Sequence, residues 1–276
     1  MPHFSPVLRE VGPSCCATEI PTVSQRRRDL GHPANPSLLA THLLAFFLIV
    51  AGPIWDYFDT RPLKANPSPR ARMRYYRQTF VWLWIATGVA VLASGFTALF
   101  TLGGLGVHAA WLDRHSWPWW LLVVLVSLVV LLQLVVPVIQ VTVKYRNRPF
   151  LEPRQLESLR FFLPSSSPER RWFAALSITA GFCEELLFRG FLLRYLHTSP
   201  LHLGLVCATL AAALVFGTHH LYQGVKGVVS TSVGGLMFTA ILLVTGSLWI
   251  GMIYHAATDL SLLLYWRPKP TGGGET

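Results

Sequence analysis

Residues 181–190 read Gly-Phe-Cys-Glu-Glu-Leu-Leu-Phe-Arg-Gly and place three charged side chains inside an apolar stretch. On a helix, Glu185 and Arg189 lie four residues apart with the acid first, which is the favourable order for an ion pair. Glu184 lies about 100° further round the helix and faces another neighbour. Each such charge costs roughly 2.5–3.5 kcal/mol at the centre of a bilayer. The stretch therefore predicts either an ion pair that fixes helix packing or a catalytic carboxylate with a supporting salt bridge.

The composition predicts an all-α membrane protein. The chain has 276 residues, of which 52% are hydrophobic and only 13% are charged, and its mean hydropathy is +0.45. Its apolar residues cluster in runs near the length that spans a bilayer. We predict a polytopic helical bundle of about seven or eight transmembrane helices, with runs at about 38–57, 80–102, 117–143, 172–196, 202–222, 225–245 and 248–266.

The formal charge of +10 does not indicate nucleic-acid binding. The basic residues lie between apolar runs, as the positive-inside rule expects, and no basic stripe alternates with aromatic residues. The partner that the sequence predicts is the lipid bilayer, and we expect a multi-pass integral protein of the cell (plasma) membrane. The basic loops 58–79 and 144–171 are predicted to be cytoplasmic.

The chain divides into four predicted regions. Residues 1–37 form a polar N-terminal tail, residues 38–169 form N-terminal transmembrane helices and loops, residues 170–266 form a core, and residues 267–276 form a C-terminal tail. The boundary near 170 is a change of composition, because the upstream runs are almost free of ionisable groups. The downstream runs carry many, so we expect the functional site in the core.

Two further pairs in the core repeat the spacing of the first stretch. Phe216 precedes His220 by four residues at the end of the fifth run, and His255 precedes Asp259 by four in the seventh. A lone buried histidine is more often structural. Ionisable groups that enter the membrane from three separate helices are by default a functional-site hypothesis.

Taken together, Glu-Glu-x-x-x-Arg, Phe-x-x-x-His and His-x-x-x-Asp resemble the three motifs of the CPBP intramembrane proteases. That family includes the glutamate-type CAAX prenyl endopeptidases and Abi-like, bacteriocin-processing relatives. The resemblance covers roughly residues 170–266 and is specific as a triple. Its one departure is Asp259, where Asn is also common. It implies an all-helical core with a polar cavity open to the cytoplasm, and an endopeptidase acting on a membrane-associated, CAAX-like peptide or lipidated protein.

The resemblance also implies a role for each residue. Glu184 would be the general base that activates water, working with His220. His255 and Asp259 would steady the oxyanion or the water, and a nearby histidine suits transfer of a proton to the leaving amine. Glu185, Arg189 and Phe216 would be supporting residues. His219, beside His220, is expected to be structural or to lie at the cavity rim.

The sequence leaves the cofactor open between zinc and none. Glu184, His220 and His255 are zinc-ligand types, and a metalloprotease would use them. However, the chain has neither an H-E-x-x-H motif nor a C-x-x-C pair, and a metal-free glutamate mechanism fits equally well.

Two functions from other classes stay as alternatives. A proton-coupled transporter would also place Glu, His and Asp in mid-membrane, although such folds show related halves and here the ionisable groups are confined to one half. A non-catalytic membrane adaptor with the same fold is the third hypothesis, although all three motifs are intact.

Overall fold

The described part of the chain is an all-α helical bundle, as predicted. The computed structural model describes residues 36–95, 99–100, 117–139, 142–143, 159–198 and 202–266. The first helix, α1, covers 36–65 in three successive parts, Pro36–Phe46, a π-helical turn Phe47–Ala51, and Gly52–Ala65. Helices α2 and α3 are Pro69–Ser94 and Trp117–Ile139.

The remaining four helices form the C-terminal half of the bundle. Helix α4 covers 167–198 and consists of Ser167–Glu184, a π-helical segment Glu185–Leu192, and Leu193–Thr198. Helix α5 is Leu205–Thr218, α6 is Gly224–Thr245 after a 3-10 turn Leu221–Gln223, and α7 is Leu248–Tyr265. Helix α4 packs against α2 and α7, and α5 packs against α6.

The predicted basic loop 58–79 is mostly helical, with only 66–68 between α1 and α2. The Ser68 side chain accepts a hydrogen bond from Ala71 N at 3.2 Å, and Pro69 occupies the first turn of α2. Ser as N-cap followed by Pro is a strong helix start. Hydropathy reports the apolar part of a helix and not the position of its ends. Both helices therefore continue into the basic residues of the predicted loop.

A buried ion pair fastens the start of α4 to α2. Arg72 Nε lies 2.9 Å from Glu169 Oε1, and the other carboxylate oxygen of Glu169 accepts the backbone N–H groups of Ser165 and Ser166 at 2.7 and 2.8 Å. Ser166 and Glu169 form a capping box, which satisfies free N–H groups of the first turn. The indole of Trp266, after α7, donates to Pro164 O at 2.6 Å, so this end of the bundle is tied together.

Small residues set the closest helix contact in the core. A Cβ on Gly181 would lie 2.6 Å from the backbone nitrogen of Ala256, so α4 and α7 touch backbone to backbone there. Membrane helices commonly approach through such small residues. The contact holds the helix that carries Glu184 directly against the helix that carries His255.

Two helices of the described residues are long and apolar enough to cross a membrane, Leu38–Ala65 and Leu221–Thr245. Large apolar side chains also cover the outer face of α3, where Leu121, Val124, Leu128 and Leu131 are each about half exposed. An exposed apolar face of this length suits lipid contact. The number of membrane crossings stays a prediction.

Candidate active site

One cavity of about 510 Å³ collects the chemically active side chains of the C-terminal half. Its wall includes Glu184 from α4, His255 and Asp259 from α7, Phe216 from α5, and His220 from the turn after α5. Helix α1 adds Gly52, Asp56 and Asp59, and α2 adds Trp82 and Leu83. The cavity therefore lies between the core motifs and the two N-terminal helices.

Glu185 is a buried acid with two side-chain partners, Arg189 and His255. Its Oε1 atom lies 3.1 Å from Arg189 Nη1 and 2.9 Å from His255 Nδ1. The side chain of Glu185 is only 1% exposed, and a carboxylate in such a position is costly unless it is paired. The predicted Glu185–Arg189 pair is thus present, and it also engages α7.

Arg189 is held on every side within the bundle. Its Nη2 donates to Gly235 O of α6 at 3.1 Å. The guanidinium carbon lies 4.3 Å from the centre of the Phe216 ring and 5.0 Å from that of Phe238. Desolvated cation–π contacts of this kind each contribute about 2 kcal/mol. Arg189 therefore joins α4, α5 and α6 behind the cavity wall.

His255 lies between the buried acid and the two cavity acids. Its Nδ1–H donates to Glu185, while its Nε2 lies 3.8 Å from both Glu184 Oε2 and Asp259 Oδ2. The Phe238 ring stacks on the imidazole with a centroid distance of 4.5 Å and an interplanar angle of 21°. A histidine fixed at one nitrogen presents the other in a defined direction, here toward two partly exposed carboxylates.

His220 reaches the cavity from a turn and not from a helix. Helix α5 ends at Thr218, so the four-residue spacing to Phe216 is not the helical one that the sequence predicts. Instead, His220 Nδ1–H donates to Phe216 O at 3.0 Å, and the two rings lie 5.1 Å apart. This bond leaves Nε2 as the acceptor in the neutral ring. Within the described residues, His220 makes no direct ion pair with Glu184.

Asp56 is a site residue that the motifs did not reveal, and its partner is His219, which was expected to be structural or to lie at the cavity rim. His219 Nδ1 lies 2.8 Å from Asp56 Oδ2, and both residues line the cavity. Asp56 is an acid inside the first long apolar helix, and an acid in that position is by itself a signal for a functional role. Phe238 carried no comparable signal, because α6 places no ionisable group beside it.

The donor atoms do not form a zinc site as they are arranged. In the described ranges, no three His, Cys, Asp or Glu side chains are grouped as a metal ion requires. The free ring nitrogen of His255, Nε2, lies 3.8 Å from a carboxylate oxygen of Glu184 and of Asp259. The Nδ1 atoms of His255 and His220 are already hydrogen-bonded to protein oxygens. The metal set Glu184, His220 and His255 therefore gains no support from this geometry.

The comparison with known families finds a match over part of the C-terminal half of the bundle. Residues 167–261, which run from the start of α4 into α7, match the model of the Type II CAAX prenyl endopeptidase Rce1-like family. The segment is similar to that protease family, and the resemblance that the three motifs carry is confirmed over it. Rce1-like proteins are integral membrane proteases, and the two long apolar helices fit that class. No curated protein and no solved structure matches the chain.

Proposed function

We propose that the chain is an intramembrane endopeptidase that hydrolyses a peptide bond of a membrane-associated, CAAX-like substrate with water activated by Glu184. One observation carries the proposal. Glu184 lies on the cavity wall beside His255, and His255 is fixed from behind by the buried Glu185–Arg189 pair. A reactive carboxylate with a rigid supporting shell is the arrangement that general-base catalysis requires.

The first step is the attack of water on the scissile carbonyl. A water molecule between Glu184 and the ring nitrogen of His255 is within hydrogen-bond reach of both, since contacts longer than 3.5 Å suit a bridging water. Glu184 accepts one proton from this water while the water oxygen bonds to the carbonyl carbon. The product is a tetrahedral intermediate with one negative oxygen.

His220, His255 and Asp259 handle the charge and the second proton. The Nε2 atom of His220 is an acceptor in the neutral ring and takes the second proton of the water, which stays on the intermediate as a hydroxyl until the intermediate collapses. The Nε2 atom of His255, when it carries a proton, donates to the oxyanion, and Asp259 at 3.8 Å orients that ring. Donors aimed at developing charge contribute strongly in a site that excludes water.

Collapse of the intermediate completes the reaction. The carbon–nitrogen bond breaks as Glu184 passes the proton taken from water to the leaving nitrogen. The hydroxyl proton that remains on the new acid leaves through Nε2 of His220 to the solvent. One product then ends in a carboxylate and the other begins with an amine, so a single water molecule is consumed. No step in this scheme passes through a metal ion.

The cavity suits a peptide that carries a lipid. Its volume of about 510 Å³ lies within the range of small-molecule sites. Phe47, Trp55, Trp82 and Leu83 give it an apolar wall, while Gln78, Thr79 and Gln223 supply hydrogen-bonding groups. An apolar wall next to polar groups fits a prenylated cysteine beside a peptide bond, in line with the name of the matched family.

The test compares the wild-type protein with Glu184→Gln on a farnesylated peptide that ends in a CAAX sequence, in liposomes. Gln keeps the size and hydrogen bonding of the side chain but removes the base, so we expect cleavage to fall by roughly two orders of magnitude or more. The same peptide without the farnesyl group measures the contribution of the lipid. If the wild-type protein cleaves neither peptide, or the variant cleaves as fast, the proposal is wrong and the transporter and adaptor hypotheses lead.

A further inference from the structure

The His219 ring is clamped at both nitrogens by helix α1. Nδ1 lies 2.8 Å from Asp56 Oδ2, and Nε2 lies 2.8 Å from the backbone carbonyl oxygen of Leu48. The two partners are 163 and 171 residues away in the chain and lie outside the matched segment 167–261. The N-terminal half of the protein therefore reaches the turn that carries the motif histidine His220.

The Leu48 carbonyl is available because of the local winding of α1. The N–H of Gly52 donates to Phe47 O, which is the i→i+5 bond of the π-helical turn. The following residue, Pro53, has no N–H to donate. Neither helical donor that would normally serve Leu48 O is directed at it, and the ring of His219 fills that place.

Gly52 makes room for the same ring. A Cβ at this position would lie 2.4 Å from Cε1 of His219, a distance that real side chains do not tolerate. The π turn, Gly52, Pro53 and Asp56 thus form one binding site for the imidazole within residues 47–56 of α1.

The clamp acts on the turn that positions His220. His219 is the residue at the C-terminal cap of α5, its own N–H bonds to Val215 O at 3.3 Å, and the next N–H, of His220, bonds to Gly217 O at 2.9 Å. The edge of the His219 ring also packs on Phe188 at 5.2 Å. Fixing His219 fixes the backbone from which the His220 side chain departs.

We propose that Asp56 is a positioning residue of the active site, which acts through His219 to hold His220 in its working orientation. The inference rests on the proposed endopeptidase function and extends it to a residue outside the matched segment. Asp56 takes no proton and touches no reacting atom in this scheme.

The first test measures kcat and KM of full-length Asp56→Ala and Asp56→Asn on the farnesylated CAAX peptide, per mole of folded protein in liposomes. Displacing a catalytic group by about 1 Å costs on the order of a hundredfold in rate. We expect kcat of Asp56→Ala to fall about ten- to a hundredfold, with KM within about twofold. Asp56→Asn, whose side-chain oxygen still accepts from Nδ1–H, recovers part of the loss and is the variant to use if Ala prevents folding.

The matched control is Tyr195→Phe. Tyr195 OH lies 2.9 Å from His42 Nδ1, so this pair is a second hydrogen bond between α1 and the core, and neither residue lines the cavity. If the Asp56–His219 bond only joins helices, Asp56→Ala and Tyr195→Phe both lower stability and leave kcat unchanged. That result would overturn the proposal.

A double-mutant cycle with His219→Ala separates an indirect from a direct role. Residues that act as one unit give non-additive effects, so in the His219→Ala background the further change Asp56→Ala should alter kcat by less than about twofold. Full additivity would mean that Asp56 acts directly on the substrate, and would overturn the proposal while leaving the endopeptidase function intact. If the wild-type protein cleaves nothing, both the endopeptidase function and the positioning role of Asp56 are wrong.

Discussion

Glu185 and His255 are 70 residues apart in the chain, and their Oε1 and Nδ1 atoms are 2.9 Å apart in the structure. This one contact links the helix that carries the predicted base to the helix that carries its histidine and Asp259. Because Glu185 also holds Arg189, we expect the two adjacent glutamates to have separable roles, Glu184 in chemistry and Glu185 in assembly.

We expect Glu185→Gln to destabilise the protein. The change leaves the Arg189 guanidinium buried without its charged partner, and breaking a buried pair costs on the order of 3–5 kcal/mol. The measurement is the thermal unfolding midpoint and the monodisperse fraction in detergent. Glu184→Gln is the matched control, because it makes the same chemical change on a less buried side chain. The Glu184 side chain is 18% exposed, and its contact with the His255 ring is long, at 3.8 Å. Equal stability of the two variants would contradict the assignment.

We expect Gly181→Ala to weaken the packing of α4 on α7. The added Cβ would lie 2.6 and 2.7 Å from backbone and side-chain atoms of Ala256, and a backbone contact has little freedom to yield. Gly88→Ala on α2 is the control, since nothing lies within 4 Å of its Cβ position and Ala favours a helix by about 1 kcal/mol over Gly. Unfolding midpoints should move in opposite directions, and a rise for Gly181→Ala would contradict the close contact.

We expect the stability of the protein to fall below about pH 4.3, the ordinary Glu value, through Glu169. Burial raises the pKa of this carboxyl, but hydrogen bonds from Ser165 and Arg72 and the charge of Arg72 outweigh it, so its pKa is lowered. A lowered folded-state pKa stabilises the protein above the unfolded value, and the contribution disappears as pH falls through the folded one. Unfolding midpoints across this range should depend on pH less steeply in Glu169→Gln. An unchanged slope would exclude Glu169 as the source.

We expect cleavage by the purified protein to survive a zinc chelator, because every proposed step uses side chains of this chain. The assay compares the initial rate on the farnesylated peptide before and after treatment with 1,10-phenanthroline, with its non-chelating isomer as control. Loss of activity that added zinc restores would instead favour a metal held by Glu184, His220 and His255.

Much of the bundle could be predicted because hydropathy reports it directly. Each of the seven apolar runs overlaps one of the seven helices of the described residues. The start of α2 was not predictable from hydropathy, since Ser68 and Pro69 determine it through capping. The π-helical segment Glu185–Leu192 had no recognised signal, because the same residues are compatible with an α-helix.

The site was predictable where its contacts follow local spacing. Glu185 with Arg189, and His255 with Asp259, face each other because four residues make about one turn. The bonds of His219 to Asp56 and of Glu185 to His255 join distant segments, and only the packing of the bundle brings these together. No spacing rule reports such contacts.

Glu185, the acid that Arg189 and His255 share, also has a consequence for the order in which the helices are made and inserted. Helix α4 is synthesised with Glu184, Glu185 and Arg189 already in place, but the histidine that completes the pairing lies on α7, the last described helix to emerge. Until then Arg189 is the partner of Glu185 on its own helix, and Glu184 lacks its neighbour on α7. We therefore expect release of α4 into lipid to be most favourable once α7 has been made, which would couple insertion of the predicted catalytic helix to synthesis of α7.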